Sequence, residues 1–172
     1  MFKIMVAEYE ELLDACSCEL QAIEKRINKN KLDQMVKYLQ NYAVIRACGT
    51  IENVVKNIIA DSVTVNASFE IQNYIQIKIR DSSSNPKTTI ISSILGEFST
   101  EWKKSFDNKL TNIPANSDNN KAKTELNSLV QLRNDFAHGK SVGIGISSIR
   151  KYFDSACEIV KIVDGIVGNN IS

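Results

Sequence analysis

The chain has 172 residues, 43% of them apolar and 24% charged, with a formal net charge of +1. That length can bury a core without metal or disulfide support, and the near-neutral balance excludes recognition of a polyanion by bulk charge alone. Seven glycines and two prolines are few for the length, which favours long helices over a turn-rich β-sandwich.

Residues 4–27 read as an acidic amphipathic helix, with Ile4, Leu12, Ala15, Ala22, Ile23 and Ile27 recurring near helical spacing. Glu8, Glu10 and Glu11 interrupt the apolar start before the core of a secretory signal forms. No apolar run reaches the length of a membrane span, so the expectation is a cytoplasmic protein without a membrane partner. The polar string NKNK (28–31) closes this helix. A second runs from about Leu32 to Val63, and its apolar residues, among them Met35, Tyr42, Ile45, Ile51, Val55 and Ile59, cover more than one stripe. It is therefore expected to be the central and most buried element. Gly49 inside it costs about 1 kcal/mol against alanine, which points to a neighbour packed closely there.

In SFEIQNYIQIKIR (68–80) Ile75, Ile77 and Ile79 alternate as in a strand, while Ile71, Ile75 and Ile79 repeat every four as in a helix. A lone strand would have nothing to pair with, so a helix is expected. DSSSNPKTT (81–89) reads as a loop in which Ser84 or Asn85 with Pro86 starts the next helix. Two short helices follow over 88–98 and 99–110. TNIPANSDNN (111–120) is the clearest loop and a place for a lid or partner contact. A helix over 120–138 turns Leu126, Leu129, Val130, Phe136 and Ala137 inward and ends at Gly139, a residue suited to the left-handed position past a helix. Ser147 or Ser148 caps the last helix, 149–167, whose inner side carries Ile149, Phe153, Ala156, Val160, Val163 and Val167. No repeat or boundary divides the chain, so a single domain over 1–172 is expected.

The cysteines are Cys16, Cys18, Cys48 and Cys157. The one close pair lacks C-x-x-C spacing, and its members point about 200° apart on a helix. Small buried thiols in a reducing compartment are expected, with no metal and no cofactor. GKSVGIGIS (139–147) has three glycines but not the spacing of a phosphate loop.

The only histidine, His138, stands in LRNDFAHGK (132–140), five residues after Arg133. On an ideal helix the two lie about 140° apart, yet His138 falls in the last turn and an arginine side chain is long, so both heads can reach one cleft. The negative end of the helix favours imidazolium, and guanidinium offers a fixed fork of donors matched to phosphate oxygens. Together they suit phosphoryl transfer without a metal. The plainer alternative is a capping histidine and a surface pair of Arg133 with Asp135 or Glu125.

RNDFAHG (133–139) resembles the signature of the HEPN superfamily (higher eukaryotes and prokaryotes nucleotide-binding), an arginine, four to six residues and a histidine, with a polar residue after the arginine. Arg133, Asn134 and His138 occupy those positions. YAVIRACGTIENVVKNII (42–59) is similar to the long helix of bacterial members of its RiboL-PSP branch. The resemblance implies an all-α, up-and-down helical bundle with additional short helices that forms a homodimer, so that two motifs meet across the two-fold axis. It also implies a metal-independent endoribonuclease in which the ribose 2′-hydroxyl attacks the adjacent phosphate, acting as a toxin or in phage defence, with RNA as substrate and possible control by a cognate antitoxin. The rival within the family is a catalytically silent module that binds a nucleotide, an antitoxin or another protein. A helical interaction protein outside the family is the other rival.

One count is independent of the resemblance. Cleavage by the 2′-hydroxyl needs a base and an acid, one chain has one histidine, and a symmetric dimer has two. The roles expected are proton transfer for His138, grip on the scissile phosphate for Arg133, orientation of His138 or a phosphate oxygen for Asn134, and contact with the RNA backbone for Lys140, which a solvated lysine also explains. Arg46 and Glu52, on the long helix, suit a structural pairing as well as a catalytic role and are left outside the core site. Trp102, Phe106 and Tyr152 could stack on bases or belong to the core.

Overall fold

In a computed structural model of the chain, residues 6–111, 118–140 and 143–168 are described, and they form seven α-helices with no strand among the described residues. The helices are α1 (Ala7–Lys29), α2 (Met35–Thr64), α3 (Phe69–Ile75), α4 (Thr88–Phe98), α5 (Thr100–Thr111), α6 (Asp118–Ala137) and α7 (Ile146–Gly168). α3 passes directly into a π-helical turn, Gln76–Arg80. Ile4 and the 112–117 part of the predicted lid lie outside the described residues.

The four long helices make the bundle. α7 packs against α6, α2 and α1, and α2 packs against α1 and α6 as well, while α4 and α5 close one side. All six inner positions expected of α7, from Ile149 to Val167, are buried. α2 puts Ala43, Val44, Ala47, Ile51, Val54 and Ile59 in the core, but α7, with 11 of its 23 residues buried against 13 of 30 in α2, is the more buried in proportion. No helix among the described residues is long and apolar enough to cross a membrane.

Several expectations are corrected in detail. The buried stripe of α1 is Tyr9, Leu13, Cys16, Leu20, Ile23 and Ile27, whereas Ala15 and Ala22 are exposed. The larger side chains take the inner positions because burial scales with apolar area. On α2, Met35, Tyr42 and Ile45 are exposed. The Tyr42 hydroxyl donates to Glu19, whose other oxygen takes Arg46 Nε at 2.7 Å, so this outer edge ties α1 to α2 through polar contacts. Gly49 is exposed, and a Cβ placed on it would meet nothing within 4 Å, so close packing does not explain it. Ala137 is exposed too, and Cys18 is an exposed thiol while Cys16, Cys48 and Cys157 are buried.

The helix reading of 68–80 holds. Ile75 and Ile79 are buried, and Ile71 and Ile77 are exposed, so the four-residue repeat carries the burial from Ile75 onward. The start of α4 differs from expectation. Neither Ser84 nor Asn85 caps it; the Thr88 backbone N–H donates to Asn127 Oδ1 on α6 at 3.2 Å. α7 starts at Ile146, which places Ser147 and Ser148 inside its first turn. Phe106 is fully buried, and Trp102 and Tyr152 pack against the core, which leaves base stacking without support.

Polar contacts fasten α7 to its neighbours. Arg150 Nη1 pairs with Glu24 of α1. Glu125 of α6 is buried, takes Lys151 Nζ at 2.7 Å and accepts from the Ser155 hydroxyl. Burial works to raise the Glu125 carboxyl, and the bonds from Lys151 and Ser155 outweigh it, holding the group below the usual carboxylate range. Its contribution to stability is thus present above the ordinary carboxylate pKa and lost as pH falls through the depressed value.

Two predictions follow from these placements. Gly49→Ala should stabilise the fold by about 0.5–1 kcal/mol in denaturant unfolding, since helix propensity gains and nothing clashes; destabilisation would show that something approaches that face. Lys151→Met should cost about 1–3 kcal/mol at pH 7 by leaving a charged Glu125 short of a partner. The gap from the parent protein should close as pH falls through the depressed Glu125 pKa, and a gap independent of pH would assign the loss to packing instead.

Candidate functional site at the end of α6

The inner residues of α6, Leu126, Leu129 and Val130, are fully buried and fix the helix against α7 and α2. One turn further on, Arg133 and Asn134 are half-buried. Arg133 lies near enough to Cys48 of α2 for its charge to act on that thiol, which burial and the nearby Glu52 nevertheless push up to about 12. Arg133 Nη1 donates to Asn134 Oδ1 at 3.3 Å, and Asn85 Nδ2 donates to the same oxygen at 3.2 Å.

Guanidinium has only donors, so the oxygen of the Asn134 carboxamide is the atom that must face it. With both lone pairs of that oxygen occupied, the Asn134 NH₂ group remains as a pair of donors. Asn134 does not hydrogen-bond the His138 ring; it is the Asn134 backbone carbonyl that accepts the His138 N–H, at 3.0 Å.

The helix ends as its sequence predicts. The Gly139 N–H donates to Phe136 O and the Lys140 N–H to Asp135 O, both at 2.9 Å, with Gly139 at φ +78°. This pair of bonds is the Schellman motif, and it makes His138 the last residue held by the helix before the chain turns away. The backbone of His138 is therefore fixed while its side chain is exposed.

Three carboxylates on α6 and α2 are paired with other cations. Asp135 Oδ1 takes Lys140 Nζ at 3.0 Å, Glu125 takes Lys151, and Glu52 takes the buried Lys56 at 2.5 Å. Among the described residues Arg133 has no ion pair, so the surface pair with Asp135 or Glu125 is not made. The bond from Lys140 chiefly holds the Asp135 carboxyl below its usual range, with the His138 charge a smaller contributor.

Of the predicted site residues, Arg133 and Asn134 are in contact, His138 sits one turn on at the same helix end, and Lys140 is exposed and bonded to Asp135. Arg46 and Glu52 pair with Glu19 and Lys56 respectively, as structural pairs. Among the described residues no group of three or more His, Cys, Asp or Glu side chains is placed to hold a metal ion. Asn85 is the site neighbour that sequence reasoning missed. Its one signal, the following proline, points equally to a helix start, and nothing in spacing links residue 85 to residue 134.

A family model described as RiboL-PSP-HEPN matches residues 11–169 of the chain, which associates it with ribonuclease and nucleotide-related chemistry. No curated protein and no solved structure matches it.

Proposed function

Because the chain belongs to the RiboL-PSP-HEPN family, we propose that it is a metal-independent endoribonuclease acting as a homodimer through a composite Arg–His site. The observation that carries this reading is Arg133, a half-buried guanidinium with no ion pair among the described residues, one turn from the only histidine. A cation kept without a carboxylate partner is ready for an anionic ligand, and its fork matches phosphate oxygens.

In this reading the 2′-oxygen forms a bond to the adjacent phosphorus as a base removes its proton. The bond from phosphorus to the 5′-oxygen breaks, and an acid protonates the departing oxygen. The products are a 2′,3′-cyclic phosphate and a 5′-hydroxyl. His138 supplies one of these proton transfers and its counterpart in the second subunit supplies the other. Arg133 and the Asn134 N–H donors stabilise the charge that builds on the phosphoryl oxygens. The exposure of His138 fits a site that a second subunit completes, since one chain leaves the imidazole open to water. Contact of Lys140 with the RNA backbone would draw it from Asp135, an exposed pair of the weak kind. A toxin or phage-defence effector is the setting this activity suits, with a cognate antitoxin as its controlling partner.

The purified protein should cut single-stranded RNA in the presence of EDTA. His138→Ala and Arg133→Ala should each lower the rate by about 10²–10⁴-fold while melting at the parent temperature. An effect of His138→Ala smaller than about tenfold contradicts the role given to it, and a parent protein that binds RNA or a nucleotide without cutting is the silent module.

A further inference from the structure

We propose that Asn85 is a positioning residue of the Arg133–Asn134 site. Its carboxamide holds the Asn134 oxygen inward on Arg133, so that Asn134 offers only N–H donors to a bound phosphate. The proposal rests on the ribonuclease reading above.

The segment between the π-helical turn and α4 is held at both ends. Lys56, 5% exposed in the middle of α2, donates to the Ser82 carbonyl as well as to Glu52. A lysine charge this buried is costly unless its donors are satisfied, so the Lys56–Ser82 bond is a firm anchor for the start of the segment. At the other end Thr88 is buried, and its backbone N–H and hydroxyl group both meet the Asn127 carboxamide, at 3.2–3.4 Å. Between these anchors Pro86 is buried and restricts the backbone of the residue before it, which is Asn85.

Asn127 and Asn134 are seven residues apart, which on a helix puts them on one face about 20° from each other. That face of α6 holds the segment twice: Asn127 takes Thr88, and Asn134 takes Asn85. The second bond is the one with a consequence for chemistry. A carboxamide that turns over by half a rotation exchanges its oxygen for its nitrogen. Turned over, Asn134 would present an acceptor oxygen to the phosphate and an N–H group to the Arg133 guanidinium, both of which repel. Asn85 is held by the segment in the place that opposes this rotation, and a single neutral hydrogen bond biases two such orientations by roughly fivefold to tenfold.

A double-mutant cycle tests the proposal: parent, Asn85→Ala, Asn134→Ala and the double variant, each checked by thermal melting and assayed for single-turnover cleavage of RNA. Asn85→Ala should lower the cleavage constant by up to about twofold in the parent, as the fraction of Asn134 in the donor-presenting orientation falls from about nine-tenths toward half, and should leave it unchanged once Asn134 is alanine. A purely structural role would give the same loss in both backgrounds, and that result overturns the proposal. Asn85→Asp, which preserves size, guards against misfolding of the alanine variant. Its carboxylate cannot donate to Asn134, so it should fall at least as far as Asn85→Ala, and parent-like cleavage by it overturns the proposal. If the parent cuts RNA and Asn85→Ala cuts as fast, only the positioning role fails. If the parent cuts none, the ribonuclease reading fails and takes the positioning role with it.

Discussion

The arrangement depends on keeping carboxylates away from one guanidinium. Arginine in a folded protein ordinarily finds an Asp or Glu; Asp135 and Glu125 share α6 with Arg133, and Glu52 stands on α2. Each has been given another cation: Asp135 has Lys140, Glu125 has Lys151, and Glu52 has Lys56. What Arg133 receives instead is the neutral oxygen of Asn134, which orients a guanidinium without cancelling its charge. These pairings differ in burial and in stabilising value, but they share one effect on the site.

The same helix end supplies the second requirement, a fixed origin for His138. The Schellman bonds at Phe136 and Asp135 terminate α6 at a defined residue, and the buried leucines of α6 fix where that end lies on the bundle. α7 supports this from behind, with Phe153 and Ile149 fully buried and Lys151 and Ser155 bonded to Glu125. Core packing and site geometry are thus coupled through α6, which turns apolar residues inward, Asn134 toward Asn85 and Asn127 toward the first residue of α4.

Much of this was legible in the sequence because it is local. The periodicity of α7, the Gly139 stop, and the position of His138 relative to Arg133 all arise within one or two helical turns. The lack of a second strand to pair with also decided the 68–80 segment correctly. What was not legible depends on competition or on distance in the chain. Which of Leu12 and Leu13 faces inward depends on how neighbouring helices share area, and Ala15 and Ala22 lost to larger residues. Gly49 invited a packing explanation that its open surroundings remove. The capping of α4 by Asn127 and the contact of Asn85 with Asn134 join residues 39 and 49 positions apart, and no sequence pattern announces either.

The central claim is that Arg133 is held free of carboxylates in order to take a phosphate. The most direct measurement is the salt dependence of binding to an RNA made uncleavable by 2′-deoxy substitution, for the parent protein and for Arg133→Met. The account predicts weaker binding by the variant and a log–log salt slope shallower by about 0.7–1, the signature of one lost phosphate contact. An unchanged slope with unchanged affinity would mean that the guanidinium meets no phosphate, and would contradict it.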